Sequence, residues 1–328
     1  VGELHIVLLS DASHGLKEAQ IEKNVWVYPT NSFSKIFRPL DASRMGKRLV
    51  AEKHFVRGAS LITAQDVECG WAGLAVKKKW RLPLEAQVHT DILSPHFSGF
   101  QNKVRKFFTR RILREADAVR VVSEELKDRL APFTKARISV LPIAVDREKI
   151  EGAKLSFDVH ARYPWHFILL VVSRLTEEKN LPLALEALTL VIRRFPDAGL
   201  LIVGSGPEER RLKNLMKKLN LESHVEFVGW QNDLASFYKT SNLFLQCSLF
   251  EGYGLSLIEA GLSGLPVVTT PVGIARELED GKDAKLFPNN RADLLADAII
   301  DLLEHNEKRE NLKFNLKRTL EAKLISKE

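Results

Sequence analysis

Short apolar runs alternate with amphipathic stretches along nearly the whole chain. In the first half the runs fall at 4–9, 25–28, 61–64, 86–89, 118–122 and 138–141. Helical patterns, with apolar residues three and four apart, lie between them near 43–57, 101–116 and 124–131. The second half repeats the scheme, with strand-like runs at 167–172, 200–203, 225–228, 243–246, 266–269 and 285–287. Its helical patterns fall near 180–195, 207–220, 233–240, 256–263, 291–304 and 306–324. Short apolar strands, each followed by an amphipathic helix, predict parallel sheets covered on both faces. The expectation is an α/β protein of two doubly wound domains, residues 1–150 and 151–328, facing a central cleft. The join is expected within the charged, turn-rich interval between Pro142 and Pro164. Ligands of open parallel sheets bind beyond the carboxyl ends of the strands, which makes the cleft the expected site.

Bulk properties sharpen this picture only in places. A chain of 328 residues is long for a single core. Hydrophobic content of 45% and charged content of 28% fit a soluble globular protein. No apolar run reaches the roughly 18 residues needed to span a bilayer. Val1-Gly2-Glu3-Leu4 has neither a basic start nor a small-residue cleavage site, so it does not read as a signal peptide. The missing initiator Met leads us to expect a trimmed or partial chain. Cys69 and Cys247 form neither a metal-ligand spacing nor a disulfide framework, which fits a reducing cytoplasm. Charge is uneven: residues 1–150 carry 26 Lys and Arg against 17 Asp and Glu, a net of +9, and the remainder 23 against 25. A basic first half suits an anionic acceptor or a lipid surface, with localisation extending to the inner face of a membrane.

The most informative stretch is Phe250-Glu251-Gly252-Tyr253-Gly254-Leu255-Ser256-Leu257-Ile258-Glu259-Ala260. Two carboxylates bracket a glycine-containing turn that runs into a helix. Carboxylates accept hydrogen bonds from sugar hydroxyls, and free N–H groups at a helix start face an anion. The neighbours Leu255, Leu257, Ile258, Ala260 and Leu262 are apolar, so Glu259 is expected to face something specific. A solvated acidic face is the ordinary alternative.

Arg174 and Lys179 follow the apolar run 167–172, where two cations can neutralise a diphosphate leaving group. Such stabilisation is worth ~3–4 kcal/mol per well-placed donor. A solvated basic turn is the alternative. Val203-Gly204-Ser205-Gly206-Pro207 sits between another strand and helix. It either admits a ligand to the backbone or is a plain tight turn. It is not a dinucleotide fingerprint, because Glu209 occupies the third glycine position.

Taken in order and spacing, Arg174 and Lys179, Gly204-Ser205-Gly206-Pro207 and the E-x7-E pair Glu251 and Glu259 resemble the donor domain of the retaining GT-B glycosyltransferases of family 4. The resemblance runs from about 167 to 287 and continues more weakly upstream, through Ala116-Asp117-Ala118-Val119-Arg120-Val121-Val122-Ser123 and 138–146. It implies two Rossmann-like domains and transfer of a hexose from a UDP- or GDP-sugar to a hydroxyl acceptor, with the anomeric configuration kept. Cell-envelope glycolipid or polysaccharide synthesis is the implied setting. Arg174 and Lys179 would bind the diphosphate, Glu259 the ribose hydroxyls and Glu251 the transferred sugar. The backbone of Gly252, Tyr253, Gly254, Leu255 and Ser256 would cradle sugar and phosphate. Val228-Gly229-Trp230 would lie near the nucleobase. His89, closing the run 86–89 in the other half, would contact the donor sugar, and the alternative is a hydrogen-bonded structural histidine. In the same-face displacement that the family suggests, the leaving phosphate accepts the acceptor's proton. The acidic pair is therefore not the couple of a glycoside hydrolase. Neither a cofactor nor a metal is implied.

The chain departs from the family's pattern in several places. Gly273 is followed by Ile274 instead of a second glycine, and Ala284 stands where a glycine is usual. The run 4–10 resembles the second strand of the first domain, so that domain is expected to lack its first strand, and the usual closing helix is not evident at the end. These departures keep open a non-catalytic sugar-nucleotide-binding or scaffold protein of the same fold. A GT-B phosphorylase or epimerase is a further enzyme reading, with no recognisable Schiff-base lysine to support it. Nucleic-acid binding has only the positive charge behind it. The segment 103–114 places Val104, Phe107, Phe108 and Ile112 on one side, flanked by basic groups. It suits either an anionic membrane or ordinary core packing, and Lys77-Lys78-Lys79-Trp80-Arg81 adds charge nearby in sequence.

Overall fold

The computed structural model describes residues 2–53, 55, 58–94 and 99–325. The chain divides into two compact units, Val1–Pro142 and Ile143–Glu328. The first unit contains β1 (Leu4–Leu8), β2 (Ala19–Glu22), β3 (Val25–Pro29), α1 (Arg38–Glu52), β4 (Ile62–Gln65), α2 (Asp66–Trp80), β5 (Leu84–Val88), α3 (Phe100–Glu115), β6 (Ala118–Val121), α4 (Glu124–Leu130) and β7 (Arg137–Val140). Its strands form two sheets among the described residues. One has the order β1-β3-β2, the other β4-β5-β6-β7. The second is all parallel; in the first, β2 runs antiparallel to β3.

The second unit contains α5 (Arg147–Gly152), β8 (Phe167–Val172), α6 (Leu181–Arg194), β9 (Ala198–Val203), α7 (Glu209–Lys218), β10 (Val225–Gly229), α8 (Ala235–Thr240), β11 (Leu243–Gln246), α9 (Leu255–Leu262), β12 (Val267–Thr269), β13 (Lys285–Leu286), α10 (Ala292–Glu304) and α11 (Asn306–Ile325). Its sheet is parallel throughout, in the order β10-β9-β8-β11-β12-β13. By position in the unit this is the 3-2-1-4-5-6 order of a doubly wound fold. The strand order reverses between β8 and β11, and the crevice outside their carboxyl ends is the switch point where such sheets take ligands.

The central strands are apolar because both sheet faces are covered. Ile168, Leu169, Leu170, Leu200, Leu201 and Ile202 are all fully buried, each worth roughly 1.5–3 kcal/mol of transfer free energy. Of these, Leu169, Leu200 and Ile202 share one core cluster with Leu185, Leu188 and Val191 of α6 and Leu295, Ile299 and Leu302 of α10.

Several local expectations need correction. The helix expected near 43–57 begins at Arg38, with Pro39 in its first turn, a position where proline costs no hydrogen bond. The run Lys77-Lys78-Lys79-Trp80 is the last turn of α2, a helix the apolar pattern did not mark. The strand expected at 86–89 is Leu84–Val88, so His89 lies just beyond it. A division at 150 would cut α5. That helix is tied to the second unit, where Arg147 pairs with Glu321, Lys317 with Glu151, and Lys239 Nζ donates to the Glu151 carbonyl. No helix among the described residues is long and apolar enough to cross a membrane.

Candidate functional site

The site is built on the two turns that leave β8 and β11. After β8, residues 173–176 lead into a single 3-10 turn, Glu177–Lys179. Asn180 then adopts φ 50°, a left-handed conformation that Asn tolerates better than most residues. Pro182 opens α6 immediately afterwards. This sequence of turns places Lys179 at the end of a short excursion between β8 and α6.

After β11, residues 247–254 carry the chain to α9, and Gly254 with φ 97° provides the entry that a residue with a Cβ resists. The two turns are joined by backbone: the Leu249 N–H donates to the Glu178 carbonyl at 2.8 Å. They are joined more strongly by charge. Lys179 Nζ donates to Glu251 Oε1 at 2.7 Å and Oε2 at 2.8 Å. The two side chains are only 13% and 10% exposed. Ser248 Oγ also donates to Glu251 Oε1, at 2.7 Å. An ammonium has three donors; two are spent on one carboxylate, which leaves one for an anion.

Arg174 stands differently. Its side chain is 69% exposed and reaches Glu178 Oε1 at 3.4 Å, within the same turn. Its guanidinium is largely in solvent, unlike the enclosed ammonium of Lys179.

The glycines of Gly204-Ser205-Gly206 have a structural reason. A Cβ on Gly204 would come within 1.9 Å of the Ser173 carbonyl oxygen, and one on Gly206 within 2.3 Å of that of Leu175. The turn after β9 therefore lies directly against the turn that carries Arg174. The Leu175 N–H donates to the Ser205 carbonyl at 2.9 Å, and the Gly204 N–H to the Gly229 carbonyl at 2.8 Å. That second bond links the Val228-Gly229-Trp230 turn to the set. Trp230 is an exposed aromatic face there.

Glu259 lies on α9, whose first N–H groups have no carbonyl one turn back to bond to. Tyr238 of α8 donates its hydroxyl to Glu259 Oε2 at 2.9 Å. Burial pushes the Glu259 carboxyl up, and the Tyr238 hydrogen bond opposes that rise. The Tyr238 hydroxyl is itself raised well above its ordinary value, first by burial and then by the Glu259 charge.

The structure thus brings Lys179 into contact with Glu251, and packs Gly204 and Gly206 against the Arg174 turn. His89 belongs to the first unit. It is half-buried, and its backbone N–H donates to Asp66 Oδ1 at 3.3 Å. Asp66 begins α2 with φ 57°. Ile274 packs beneath the acidic turn, its N–H donating to the Tyr253 carbonyl at 2.8 Å, and Ala284 is fully buried. Sequence reasoning missed Ser248 and Tyr238. Ser248 carries no distinguishing signal in a loop. Tyr238 did: a tyrosine on the apolar face of a helix needs a partner for its hydroxyl.

Residues 154–319 match the family of glycosyl transferases group 1, and residues 3–149 match Glycosyltransferase Family 4. The GDP-mannose-dependent alpha-(1-6)-phosphatidylinositol monomannoside mannosyltransferase of Mycolicibacterium smegmatis is 28% identical over 288 residues, which is 81% of this chain and 71% of that one. The chain spans about half the length, or less, of the first curated relatives it matches, at 47%, 46% and 39%. Among solved structures, sucrose-phosphate synthase from Thermosynechococcus elongatus superposes with a TM-score of 0.79 at 19% identity, over 98% of this chain and 94% of that one. Anabaena HepE in complex with UDP and glucose does so with a TM-score of 0.75 at 20% identity, over 98% and 96%. At such identities the structural likeness establishes the fold, that of the GT-B proteins. With the first family's match covering half of its length, the chain belongs to the glycosyl transferases group 1, of the family-4, GT-B type.

Proposed function

We propose that this protein is a retaining hexosyltransferase that takes its sugar from a UDP- or GDP-linked donor and passes it to a hydroxyl acceptor. The observation that carries the reading is the contact between Lys179 and Glu251 at the β8–β11 switch point. A cation for phosphate and a carboxylate for hydroxyls there share one rigid junction. The names of relatives support it: one is GDP-mannose-dependent and another is a UDP-Gal-dependent galactosyltransferase of Escherichia coli.

In this reading Lys179 and Arg174 take the diphosphate. Lys179 uses its remaining donor, and Arg174 swings from Glu178. The N–H groups from Gly252 to Ser256 add uncompensated positive dipoles at the start of α9. Charge on the departing phosphate is met by the held Lys179 ammonium and the backbone N–H groups, with Arg174 added on binding, and such electrostatic stabilisation is the usual source of the largest rate term. Glu251, held by Lys179 and Ser248, accepts from hydroxyls of the transferred sugar, and Glu259 accepts from the ribose. The Val228-Gly229-Trp230 turn is assigned to the nucleobase. The assignment of His89 to the transferred sugar rests on the family resemblance alone. The bond from the anomeric carbon to phosphate breaks as the acceptor oxygen bonds to the same face, and the acceptor's proton passes to the leaving phosphate.

The exposed side of α3 gives the reading a place to work. Phe100, Val104 and Phe107 are exposed among Lys103, Arg110, Arg111 and Arg114. Ile112 is buried and Phe108 packs edge-on to Trp71, so the four apolar residues expected on one side are split between core and surface. The exposed set suits peripheral contact with an anionic membrane and a lipid-linked or glycan acceptor, in cell-envelope synthesis on the cytoplasmic side.

The test is a panel of UDP- and GDP-sugars scored by thermal shift and by release of nucleoside diphosphate. One donor is expected to raise the melting temperature by mass action, and Glu259→Ala and Arg174→Ala are expected to remove the shift. Binding without release in the presence of hydroxyl acceptors would favour a sugar-nucleotide-binding scaffold instead. No binding by any member would end the proposal.

A further inference from the structure

The ribose assignment of Glu259 leaves open what holds its carboxylate in place. Glu259 lies one turn into α9, and among the described residues Tyr238 is the side chain that bonds to it. Tyr238 is buried, and its ring packs against Phe244 at 5.9 Å between centroids. A hydroxyl in such surroundings costs free energy unless it is satisfied, so the ring and its partner fix one another. A tyrosine ring has two side-chain torsions, so packing of this ring leaves the hydroxyl a single place to point. Glu259, by contrast, has three torsions and is only half-buried. Without the tyrosine it would sample several rotamers, at an entropic cost on binding.

We propose that Tyr238 is a positioning residue: it clamps one oxygen of Glu259 so that the carboxylate is presented, already oriented, to a vicinal diol of the nucleotide. This rests on the donor reading given above. A carboxylate has about four acceptor sites on its two oxygens. The 2.9 Å bond from Tyr238 takes one site on Oε2, and the rest stay available to two adjacent hydroxyls. The same bond acts against protonation of a carboxyl that burial alone drives upward, and only the ionised form is a pure acceptor.

The experiment measures how the protein discriminates between UDP or GDP and their 2′-deoxy and 3′-deoxy counterparts, by calorimetric Kd. The wild-type chain is expected to favour the intact ribose by about tenfold or more, as a hydrogen bond to a charged group implies. Glu259→Ala brings that ratio close to one. Tyr238→Phe, which removes a single oxygen, lowers the ratio by about three- to tenfold. It adds no further loss when combined with Glu259→Ala. A purely structural role for the hydroxyl would weaken the intact and deoxy nucleotides alike and leave the ratio unchanged. Glu259→Asp tests the same bond from the other side, since the shorter carboxylate cannot reach both the phenol and the diol. If Glu259→Ala keeps the full discrimination, the ribose assignment itself fails. If Glu259→Ala abolishes it while Tyr238→Phe or Glu259→Asp retains it in full, the positioning role is overturned and the ribose assignment stands.

Discussion

Lys179 and Glu251, 72 positions apart in sequence, form a two-pronged ion pair at 2.7 and 2.8 Å in which both side chains are close to nine-tenths buried. The pair ties the turn after β8 to the turn after β11 at the switch point of the sheet. Its two members therefore depend on one another for solvation. Removing one leaves the other charged, enclosed and unmatched. Lys179→Met or Glu251→Gln alone is expected to cost about 3 kcal/mol or slightly more. The combined variant is expected to lose less than the sum. Urea denaturation of the four proteins checks this, and additive losses would show that the charges do not depend on each other.

The glycine turn after β9 makes a sharper prediction. At Gly204 and Gly206 the obstructing atoms are backbone carbonyl oxygens of Ser173 and Leu175, which no side-chain rotation can move aside. Gly204 also has φ 134°, outside the range open to alanine. Gly204→Ala is expected to cost about 3 kcal/mol or more, or to leave the chain insoluble. Gly152→Ala meets nothing within 4 Å and is expected to stay within about 0.5 kcal/mol of wild type. Comparable melting temperatures for the two would contradict the packing described here.

The strands of the second unit were legible because burial on both faces leaves an unbroken apolar run, as in Phe167–Val172, which no surface element mimics. Helix α2 was not legible, for a related reason. It packs against α1, α3, β4 and β5 at once, so its buried residues, among them Val67, Gly70, Ala72, Leu74 and Val76, do not segregate to one stripe. Gly70 and Gly73 are poor helix formers, yet they are where Ile112 and Leu84 come close to the helix. Strand β2 is exposed on both faces, so no apolar alternation marks it. Residue types and spacing mark Lys179, Glu251 and Glu259 as candidates, and the structure joins the first two. The direct Lys179–Glu251 bond was not readable, because spacing along a chain does not state which of two cations meets which of two carboxylates.

Arg174 separates ligand binding from stability. Its guanidinium is mostly solvated and its pairing with Glu178 is long, so the folded state draws little from it. Arg174→Ala is expected to stay within about 0.5 kcal/mol of wild type in stability. The shift in melting temperature produced by the cognate nucleotide-sugar is expected to fall sharply. A large loss of intrinsic stability would mean that the side chain serves the fold and not the phosphate.

Helix α3 offers a membrane test that leaves the core alone. Lys103 and Arg114 are exposed, and each basic group near an anionic surface contributes about 1 kcal/mol. The Lys103→Glu/Arg114→Glu variant is expected to sediment with phosphatidylserine vesicles at least tenfold less than the wild type. Neutral vesicles are expected to capture neither. Equal capture of both proteins by anionic vesicles would exclude this face as the contact.

The sign of a pH effect follows from Glu259. Its carboxyl is raised above 4.5, chiefly by burial and against the pull of the Tyr238 bond. Between 4.5 and the raised value the folded chain holds a proton that the unfolded chain has released. Stability therefore falls as pH rises through that window. Glu259→Gln removes the titration while keeping an acceptor for the Tyr238 hydroxyl. Relative to wild type, this variant is expected to gain stability steadily as pH climbs from about 4.5, then to level off once the native carboxylate is ionised. Denaturant unfolding of both proteins across pH 4 to 8 (about one-unit steps suffice) checks the direction. A wild type that instead gains on the variant with rising pH would show a carboxylate stabilised by a cation rather than strained by burial. Binding runs the other way: hydroxyl groups of a ligand need the ionised acceptor, so nucleotide affinity is expected to weaken as pH drops through the same window. Under the proposed ribose assignment, an ionised Glu259 would cost the folded state and serve the ligand, the stability–function opposition expected at a binding site.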